Sequence, residues 1–506
     1  MAIPGACRGS PVIPLPHPPT HGLRSRIGNP FQLALVVLAC AGVGAGPGCA
    51  RFESHPIDLQ RSLVTLETRS LGSPELRGFI ERSKGERVPE WPLQKWSFED
   101  LSLAAVWYNP ELAVARAQTE AVEASTQTAA GRLNPTLGLQ GGYNFDATKS
   151  GLSPWMPGTT LDLPVETAGK RTRRTERAAH LTRAARLDLI SKAWSIRTAL
   201  RSSVIDRVFL ERRLEVMDQQ RLVLGQIREV LEQRLRAGAA TTQEVSTVRI
   251  QLLKLESESS ALLRQSSEIH GKLAALLGLS PQSLALANLL PPVASPVPKG
   301  DALSNQRSLA LKLRADIQSA LANYEASQSQ LQLEIAKQYP DLHLGNGYQW
   351  DQGDSKWSFG LTFELPILNR NQGPIAEATA RRREAAAQVL AAQARAIAEL
   401  DRAADLNGLL QHQLEEQSRI QQELDEQTRR VEARRNQGGA DRLEVATART
   451  EALTQRLVLL DLEQRLAEAA GLWEAAVQQP LSASPRGSSA RKSFPPAVPI
   501  SPAPLP

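Results

Sequence analysis

The chain has 506 residues, of which 42% are hydrophobic and 4% aromatic, so it is long enough for several domains and too apolar to be fully disordered. Its 59 basic and 53 acidic residues give a formal net charge of +6. The helical segments carry both signs, as solvated faces do, which argues against a nucleic-acid partner. All three cysteines lie within the first 49 residues, which excludes a disulfide framework or thiolate metal site in the rest of the chain.

The N-terminus has the pattern of a bacterial export signal. Two arginines precede an apolar run over residues 31–46, which is short for a membrane span and typical of a signal-peptide core. A cysteine close behind such a core is typical of lipoprotein processing. The residues before Cys40 fit the usual processing motif better, whereas Cys49 lies directly before the polar mature sequence. We expect residues 1–49 to be a targeting segment lipidated at Cys49, with Cys40, or cleavage without a lipid, as alternatives.

Residues 50–96 lack a clear hydrophobic period and are expected to form an irregular N-terminal segment. A helix is predicted over residues 97–133, interrupted by the Asn-Pro pair at 109–110, because proline cannot donate the backbone hydrogen bond of a helix interior. Over residues 134–166 the period changes to two, with apolar and polar side chains alternating on either side of a turn rich in Gly, Ser and Pro. This segment is predicted to form two strands.

No proline interrupts the next segment, in which apolar residues recur at helical spacing. A helix from Gly169 to Leu235 would be about 100 Å long at 1.5 Å per residue. Such a length is typical of a coiled coil rather than of an ordinary globular helix. A turn at 236–241 is then predicted to reverse the chain into a helix that ends near Gly278.

The same series of elements occurs twice, which indicates a tandem duplication. Equivalent residues keep an offset of 200 or 205 positions: Arg234 and Arg434, Gly238 and Gly438, Pro135 and Pro340. The domains are therefore a first repeat at 97–278, a Pro-rich linker at 279–303, a second repeat at 304–478 and a disordered tail at 479–506. The second repeat is predicted to contain a helix at 304–338, strands at 339–366, a long helix at 374–435, a turn at 436–441 and a helix at 442–478.

The predicted strands are amphipathic, most clearly in the second repeat. One face carries large apolar side chains, namely Trp357, Phe359, Leu361, Phe363 and Leu365. The alternate positions are small or polar, which is the pattern of a membrane β-barrel with lipid outside and water inside. Four strands cannot close a barrel, and an open sheet edge cannot face lipid. The fold class predicted is therefore mainly α with a small β part, in which three chains form a 12-stranded transmembrane barrel joined to a tube of long helical hairpins.

These segments resemble the TolC-type outer-membrane efflux proteins over about residues 97–478. The resemblance lies in four places: Asn109 to Leu112, Leu133 to Pro135, and the Arg-x-x-x-Gly turns at 234–238 and 434–438. The run at 369–378 resembles the cation-efflux branch. The resemblance implies a homotrimeric channel in outer-membrane lipid, docked to a periplasmic adaptor and an inner-membrane transporter. Related efflux lipoproteins carry their lipid at a similar position, which favours Cys49 as a palmitoylated anchor.

The two turns correspond to the periplasmic tips of that family, where the adaptor docks. Gly238 and Gly438 suit the left-handed backbone at a helix end, and Arg234 and Arg434 are expected close to the docking surface. Thr241 with Glu244, and Asp441 with Glu444, have the spacing of capping boxes. Helix capping accounts for both glutamates, and lining of a pore entrance is the alternative role. Some relatives carry a basic gating residue where this chain has Ala440, which argues against a gate of that kind.

No catalytic constellation and no phosphate-binding loop is evident, so the chain is not expected to be an enzyme or to need a cofactor. In the predicted channel body the histidines are scattered at His180, His270, His343 and His412, without the spacing of a metal site. The function predicted is a passive conduit for metal cations or small toxic molecules. The alternatives are the outer-membrane channel of type I protein secretion and, in a different class, a periplasmic coiled-coil adaptor, which would have only one hairpin.

Overall fold

The structure is a computed structural model that describes residues 52–146, 151–285, 287–292 and 297–480. The chain divides into two units, residues 1–59 and 60–506. In the first unit, residues 52–58 form neither helix nor strand. The expected targeting segment with Cys40 and Cys49, and all of the expected tail beyond residue 480, lie outside the described residues.

The first half of the second unit alternates short helices and strands before two long helices. In chain order the elements are α1 (Leu59–Glu67), α2 (Pro74–Lys84), β1 (Lys95–Trp96), α3 (Phe98–Tyr108), α4 (Pro110–Ala130), β2 (Thr136–Tyr143), β3 (Trp155–Val165), α5 (Lys170–Arg236) and α6 (Thr242–Leu277). The second half repeats the order from α2 onward, with α7 (Pro281–Ala285), β4 (Asn288–Leu289), α8 (Asp301–Leu313), α9 (Ala315–Ala336), β5 (Leu342–Asp351), β6 (Asp354–Phe363), α10 (Gln372–Asn436) and α11 (Arg442–Val477).

The long helices begin and end within two residues of the predicted bounds. α5 has 67 residues and α10 has 65, so each is about 100 Å long at 1.5 Å per residue. No helix of the described ranges is both long and apolar enough to cross a membrane.

Residues 50–96 are not irregular as expected, because they contain α1, α2 and β1. The side chain of Ser73 accepts the amide hydrogen of Leu76 and caps the start of α2, and Gly85 ends this helix in the left-handed region at φ 73°. α2 buries Leu76, Phe79 and Ile80 in the same core as α3. In an 11-residue helix this apolar stripe covers barely two turns, which is too short to show as a period in the sequence.

The linker and the following helix also differ from the prediction. Within residues 279–303 lie α7 and β4, and β4 pairs in parallel with β1. The single helix expected at 304–338 is broken at Arg314, whose backbone is extended (φ −56°, ψ 133°). No proline lies at this break, so the sequence gives no sign that the helix is interrupted there.

The helices form four parallel columns. α5 lies between a column made of α4 and α6 and a column made of α9 and α11, and α10 packs on the far side of the latter. In the first column the Asn109 side-chain amide donates to the Leu276 carbonyl across the junction at 2.8 Å. In the third column the Arg314 guanidinium donates to the Ala476 carbonyl at 2.9 Å. Two short helices stacked end to end therefore match each long one.

A buried ionic cluster joins the two repeats at the level of these junctions. The Glu474 carboxylate of α11 is 3% exposed and accepts from Arg197 at 2.9 Å and from Arg201 at 2.8 Å, both on α5. Arg197 also donates to Glu99 at 2.7 Å. Because an unpaired charge buried here would be strongly destabilising, the cluster fixes the height of α11 against α5.

The four longer strands form one antiparallel sheet in the order β2-β3-β5-β6. β3 of the first repeat pairs with β5 of the second, with Leu163 opposite Leu344. Among the described residues, β2 and β6 each pair on one side only. The strand order equals the order of the helices that adjoin the strands, so the sheet and the helical columns form a single uncrossed row.

Candidate functional site

One face of the sheet carries large apolar side chains that remain exposed. Trp357 is 66% exposed, Phe359 81% and Leu361 57%. The cross-strand partners extend this apolar face over all four strands, with Leu137, Leu139, Tyr143, Trp155, Leu161, Leu163, Val165, Leu344 and Phe363. β6 ends at Phe363, so the predicted strand residue Leu365 lies two positions beyond it, still exposed. A continuous exposed apolar surface of this kind is the mark of a membrane or protein contact.

Aromatic side chains gather on the apolar face at the end where the hairpins turn. The rings of Tyr143 and Trp155 lie 5.0 Å apart, and those of Tyr348 and Trp357 also 5.0 Å. β5 and β6 are joined by two residues with positive φ, Gln352 and Gly353, as in a tight hairpin turn. Amphipathic aromatic residues are enriched where a membrane meets water, so this end has the composition of an interfacial girdle.

The opposite face of the sheet carries mainly polar or small residues. One row across all four strands consists of Gly138, Thr160, Gly347 and Ser358, which we call the small-residue row. A Cβ atom added to Gly138 would collide with the Thr160 hydroxyl, and one added to Gly347 with the Ser358 hydroxyl. The neighbouring hydroxyl groups therefore occupy the space over the glycines.

His343 lies on this polar face, as its alternation with two leucines predicts. It is not isolated there, because its Nδ1 lies 2.8 Å from a carboxylate oxygen of Asp162 on β3. The partner belongs to the other repeat, 181 positions away, so only the β3–β5 pairing reveals it. Within the described residues, no group of three or more His, Cys, Asp or Glu side chains could hold a metal ion.

The tips of the two long hairpins have the same backbone closure. Gly238 (φ 73°) donates to the Leu235 carbonyl and Ala239 to the Arg234 carbonyl. In the second repeat Gly438 (φ 80°) and Gly439 donate in the same way to Arg435 and Arg434. This is the Schellman motif, whose left-handed position strongly favours glycine, so both tip glycines have the left-handed backbone that the sequence predicts.

The capping boxes differ between the tips. Thr241 and Glu244 form a full box, in which each side chain accepts the backbone amide hydrogen of the other residue. This bond to the Thr241 backbone lowers the pKa of Glu244. The second predicted box is only half formed: Asp441 caps the amide of Glu444, but the Glu444 carboxylate lies 3.8 Å from Arg434 instead. Both glutamates thus have partners within the tips, and lining of a pore entrance remains their alternative role.

The two tips are joined into one head. Arg234 donates to the Asp441 carboxylate. The pKa of Asp441 is lowered chiefly by the hydrogen bond from the Glu444 amide and next by this bond from Arg234. Leu443 and Ala446 of α11 pack against the core cluster between α5 and α6. Arg234 and Arg434 therefore lie at the tips, and each is held by a carboxylate of the second tip.

The outer helical columns leave apolar side chains uncovered. On the α4–α6 column these are Val114, Ile250, Leu253 and Leu263, and on α10 they are Leu390, Leu409 and Ile420. Between α4 and α5 lies an open groove of about 640 Å³, lined in part by Val114, Ala185 and Leu189. Since strand order and column order are the same, the α4–α6 column lies on the side of β2 and α10 lies on the side of β6, the two outer strands of the described sheet.

Comparison with known proteins gives a consistent picture. A family model described as outer membrane efflux protein matches residues 104–279 and 307–471. Among solved structures, the chain is similar to the outer membrane protein VceC of Vibrio cholerae, with a TM-score of 0.63, 21% identity, and coverage of 76% of this chain and 96% of that one. It is also similar to CusC, with a TM-score of 0.62, 16% identity, and coverage of 85% and 99%.

The CmeC outer membrane channel of Campylobacter jejuni is similar as well, with a TM-score of 0.61, 14% identity, and coverage of 85% of this chain and 94% of that one. A search of curated protein sequences gives no significant match.

The tip closure makes a testable prediction. Gly438→Val should destabilise the second tip locally by about 1–2 kcal/mol, because a residue with a Cβ is strained in the left-handed region, and amide hydrogen exchange at residues 438 and 439 should speed up accordingly. Gly439→Ala is the matched control, since its φ lies outside that region and an added Cβ would meet its nearest neighbour at an ordinary 3.6 Å. Equal exchange in the two variants would show that backbone strain does not hold this turn.

Proposed function

Because the chain belongs to the outer membrane efflux protein family, we propose that it is the channel subunit of a tripartite export system, docked to a periplasmic adaptor and an inner-membrane transporter. Proteins of this family are passive channels of the outer membrane rather than enzymes. Family membership also removes the alternative of a periplasmic adaptor. The observation that carries the proposal is the four-stranded sheet, which has an exposed apolar face and, within the described part of the chain, no strand paired with either outer edge.

Assembly follows from those edges. In hydrocarbon no water can satisfy the free backbone groups of β2 and β6, so each must pair with another strand. If β6 of one chain pairs with β2 of the next, three chains give a closed barrel of 12 strands, above the smallest barrel size of about eight. Since columns and strands share one order, the same closure would form a tube of twelve helical columns. The proposed molecule is a homotrimer.

The uncovered flanks of the helical row support this closure. Leu390 of α10 is 66% exposed. It lies about five turns after the start of α10. Asp188 and Leu189, which line the groove, lie the same number of turns after the start of α5. In a closed ring, α10 of one chain would lie against the α4–α6 column of the next, which carries the exposed Val114 at one wall of this groove. The proposed subunit contact therefore buries apolar side chains that water surrounds in a single chain.

The cargo is proposed by class only. The run at 369–378 supports the cation-efflux branch, and hence metal cations or small toxic molecules as cargo. Type I protein secretion remains the alternative within the channel class. The identity of the transporter encoded beside this gene separates the two, because a proton-driven pump serves small cargo and a protein-export transporter serves a polypeptide.

The N-terminal anchor is proposed at Cys49, with Cys40 as the alternative. We expect the intact mass of the mature protein to correspond to a chain that begins at Cys49 and carries acyl groups including palmitate. A mature chain that begins at Cys40, or one without a lipid, would contradict this assignment.

The two faces of the sheet should respond oppositely to charge. Phe359→Arg should reduce the amount of trimer in the outer membrane, because an arginine facing mid-membrane lipid costs about 2–4 kcal/mol. Thr362→Arg, on the polar face of the same strand, should leave trimers intact and change only the conductance. The measurement is the yield of crosslinked trimer in membrane fractions. Equal yields from both variants would mean that the apolar face does not contact lipid.

Adaptor docking at the tips is tested by photocrosslinking. Probes at Ala239 and Gly439, both exposed, should capture the periplasmic adaptor in cells with an active pump. A probe at Gly373, near the start of α10 and far from the tips, is the matched control and should capture none. If the tip probes capture no adaptor while export proceeds, docking occurs elsewhere on the tube.

A further inference from the structure

The carboxylates of the tip head all have local partners. Between residues 234 and 244 and between 434 and 444 there are three: Glu244, Asp441 and Glu444. Glu244 accepts the Thr241 amide, Asp441 accepts the Glu444 amide and the Arg234 guanidinium, and Glu444 faces Arg434. Each of these carboxylates is therefore stabilised by a group within the head.

Only some of the arginines in the same segments form ion pairs with these carboxylates. Five arginines stand against those three carboxylates, and two of the five hold Asp441 and Glu444. The other three, Arg236, Arg435 and Arg442, are exposed. In the part of the chain that the structure describes, no carboxylate lies within ion-pair distance of them. The head therefore presents three unpaired guanidinium groups and a net charge of +2 per chain.

Helix stability explains two of these arginines but not the third. Arg236 and Arg435 lie in the last turns of α5 and α10, where a cation is favourable beside the negative end of the helix dipole. Arg442 is the first residue of α11, at the positive end, where a cation is unfavourable. The equivalent residue of the first repeat, 200 positions earlier, is the neutral Thr242. A residue placed against the local electrostatics calls for a partner outside the chain.

We propose that the tip head is a cationic docking surface for carboxylates of the adaptor, with Arg442 as its central contact and Arg435 and Arg236 beside it. This inference rests on the proposed function, since it names the chemistry of the docking partner. A guanidinium group matches a carboxylate with two parallel hydrogen bonds. In a trimer, nine such groups would ring the end of the tube and attract an acidic partner surface before contact.

The test uses the full-length protein in cells, with the photocrosslinking probe at Ala239 on the first tip, away from the substituted residue. Arg442→Thr, which restores the residue of the first repeat, should reduce capture of the adaptor about tenfold, the expected effect of losing one hydrogen bond to a charged group. Arg442→Lys should retain part of the capture, and Arg442→Glu should remove more than Arg442→Thr. In purified components the difference should narrow as salt rises, because exposed charges are screened.

Two controls separate docking from folding. Arg419→Thr removes an exposed arginine of α10 about 25 Å before the end of that helix and should leave capture unchanged. The trimer of Arg442→Thr should resist heat at least as well as the unaltered trimer, because the substitution removes a cation from the positive end of a helix. Loss of capture together with loss of the trimer would assign Arg442 a structural role and overturn the inference.

The outcomes distinguish this inference from the proposed function. If the unaltered protein captures the adaptor at Ala239 and both Arg442→Thr and Arg442→Glu capture it equally well, the tips dock but not through carboxylates. If no tip probe captures an adaptor during export, docking at the tips fails altogether. Supporting evidence of a direct contact would be rescue of Arg442→Glu by a carboxylate-to-arginine change in the captured adaptor, as in a double-mutant cycle.

Discussion

The unpaired backbone edges of the four-stranded sheet constrain everything else in this protein. A peptide group without a hydrogen-bond partner in an apolar environment costs several kcal/mol, and among the described residues β2 and β6 each have one edge without a neighbouring strand. The apolar face of the same sheet suits an apolar environment, because phenylalanine, tryptophan and leucine side chains are exposed on it. The strands and the helical columns follow the same order without a crossover. A neighbouring chain that pairs with an edge strand would therefore also contact the outer helical column on that side.

Each repeat contributes two strands and two helical columns to this row, but the side chains that stabilise equivalent positions differ between the repeats. At the first column junction a neutral Asn109 caps α4 and also binds the carbonyl of Leu276. At the second, 205 positions later, Arg314 makes the same contact with Ala476 and then needs Asp316 and Glu399 to balance its buried charge. The tips show the same divergence, with a full capping box in the first and a capping aspartate shared with Arg234 in the second. The two repeats therefore keep the same backbone geometry at their junctions and tips but stabilise it with different side chains.

What could be predicted from the sequence follows from how local each signal is. The ends of α5, α6, α10 and α11 depend on a left-handed residue and a capping residue within a few positions, so their bounds were predicted within two residues. The amphipathic face of β6 was predicted for the same reason, except that the strand stops at Phe363. α2 was missed because its apolar stripe is too short to show a period. The other misses depend on distant partners. Arg314 bonds Ala476 and Glu399 where its helix breaks, and the His343–Asp162 and Arg234–Asp441 pairs join positions 181 and 207 apart.

The small-residue row has a consequence for selectivity. In the proposed trimer the sequence Gly138, Thr160, Gly347, Ser358 would recur three times as a complete ring around the lumen, with hydroxyl groups lying over the glycines. No long side chain of that ring reaches toward the axis, so a solute at this level would keep its hydration shell and meet neither a fixed charge nor a hydrophobic constriction. At this level the ring would then select by size alone. Any selection by charge inside the barrel would fall to neighbouring positions of the same polar face, where Asp162 and His343 lie.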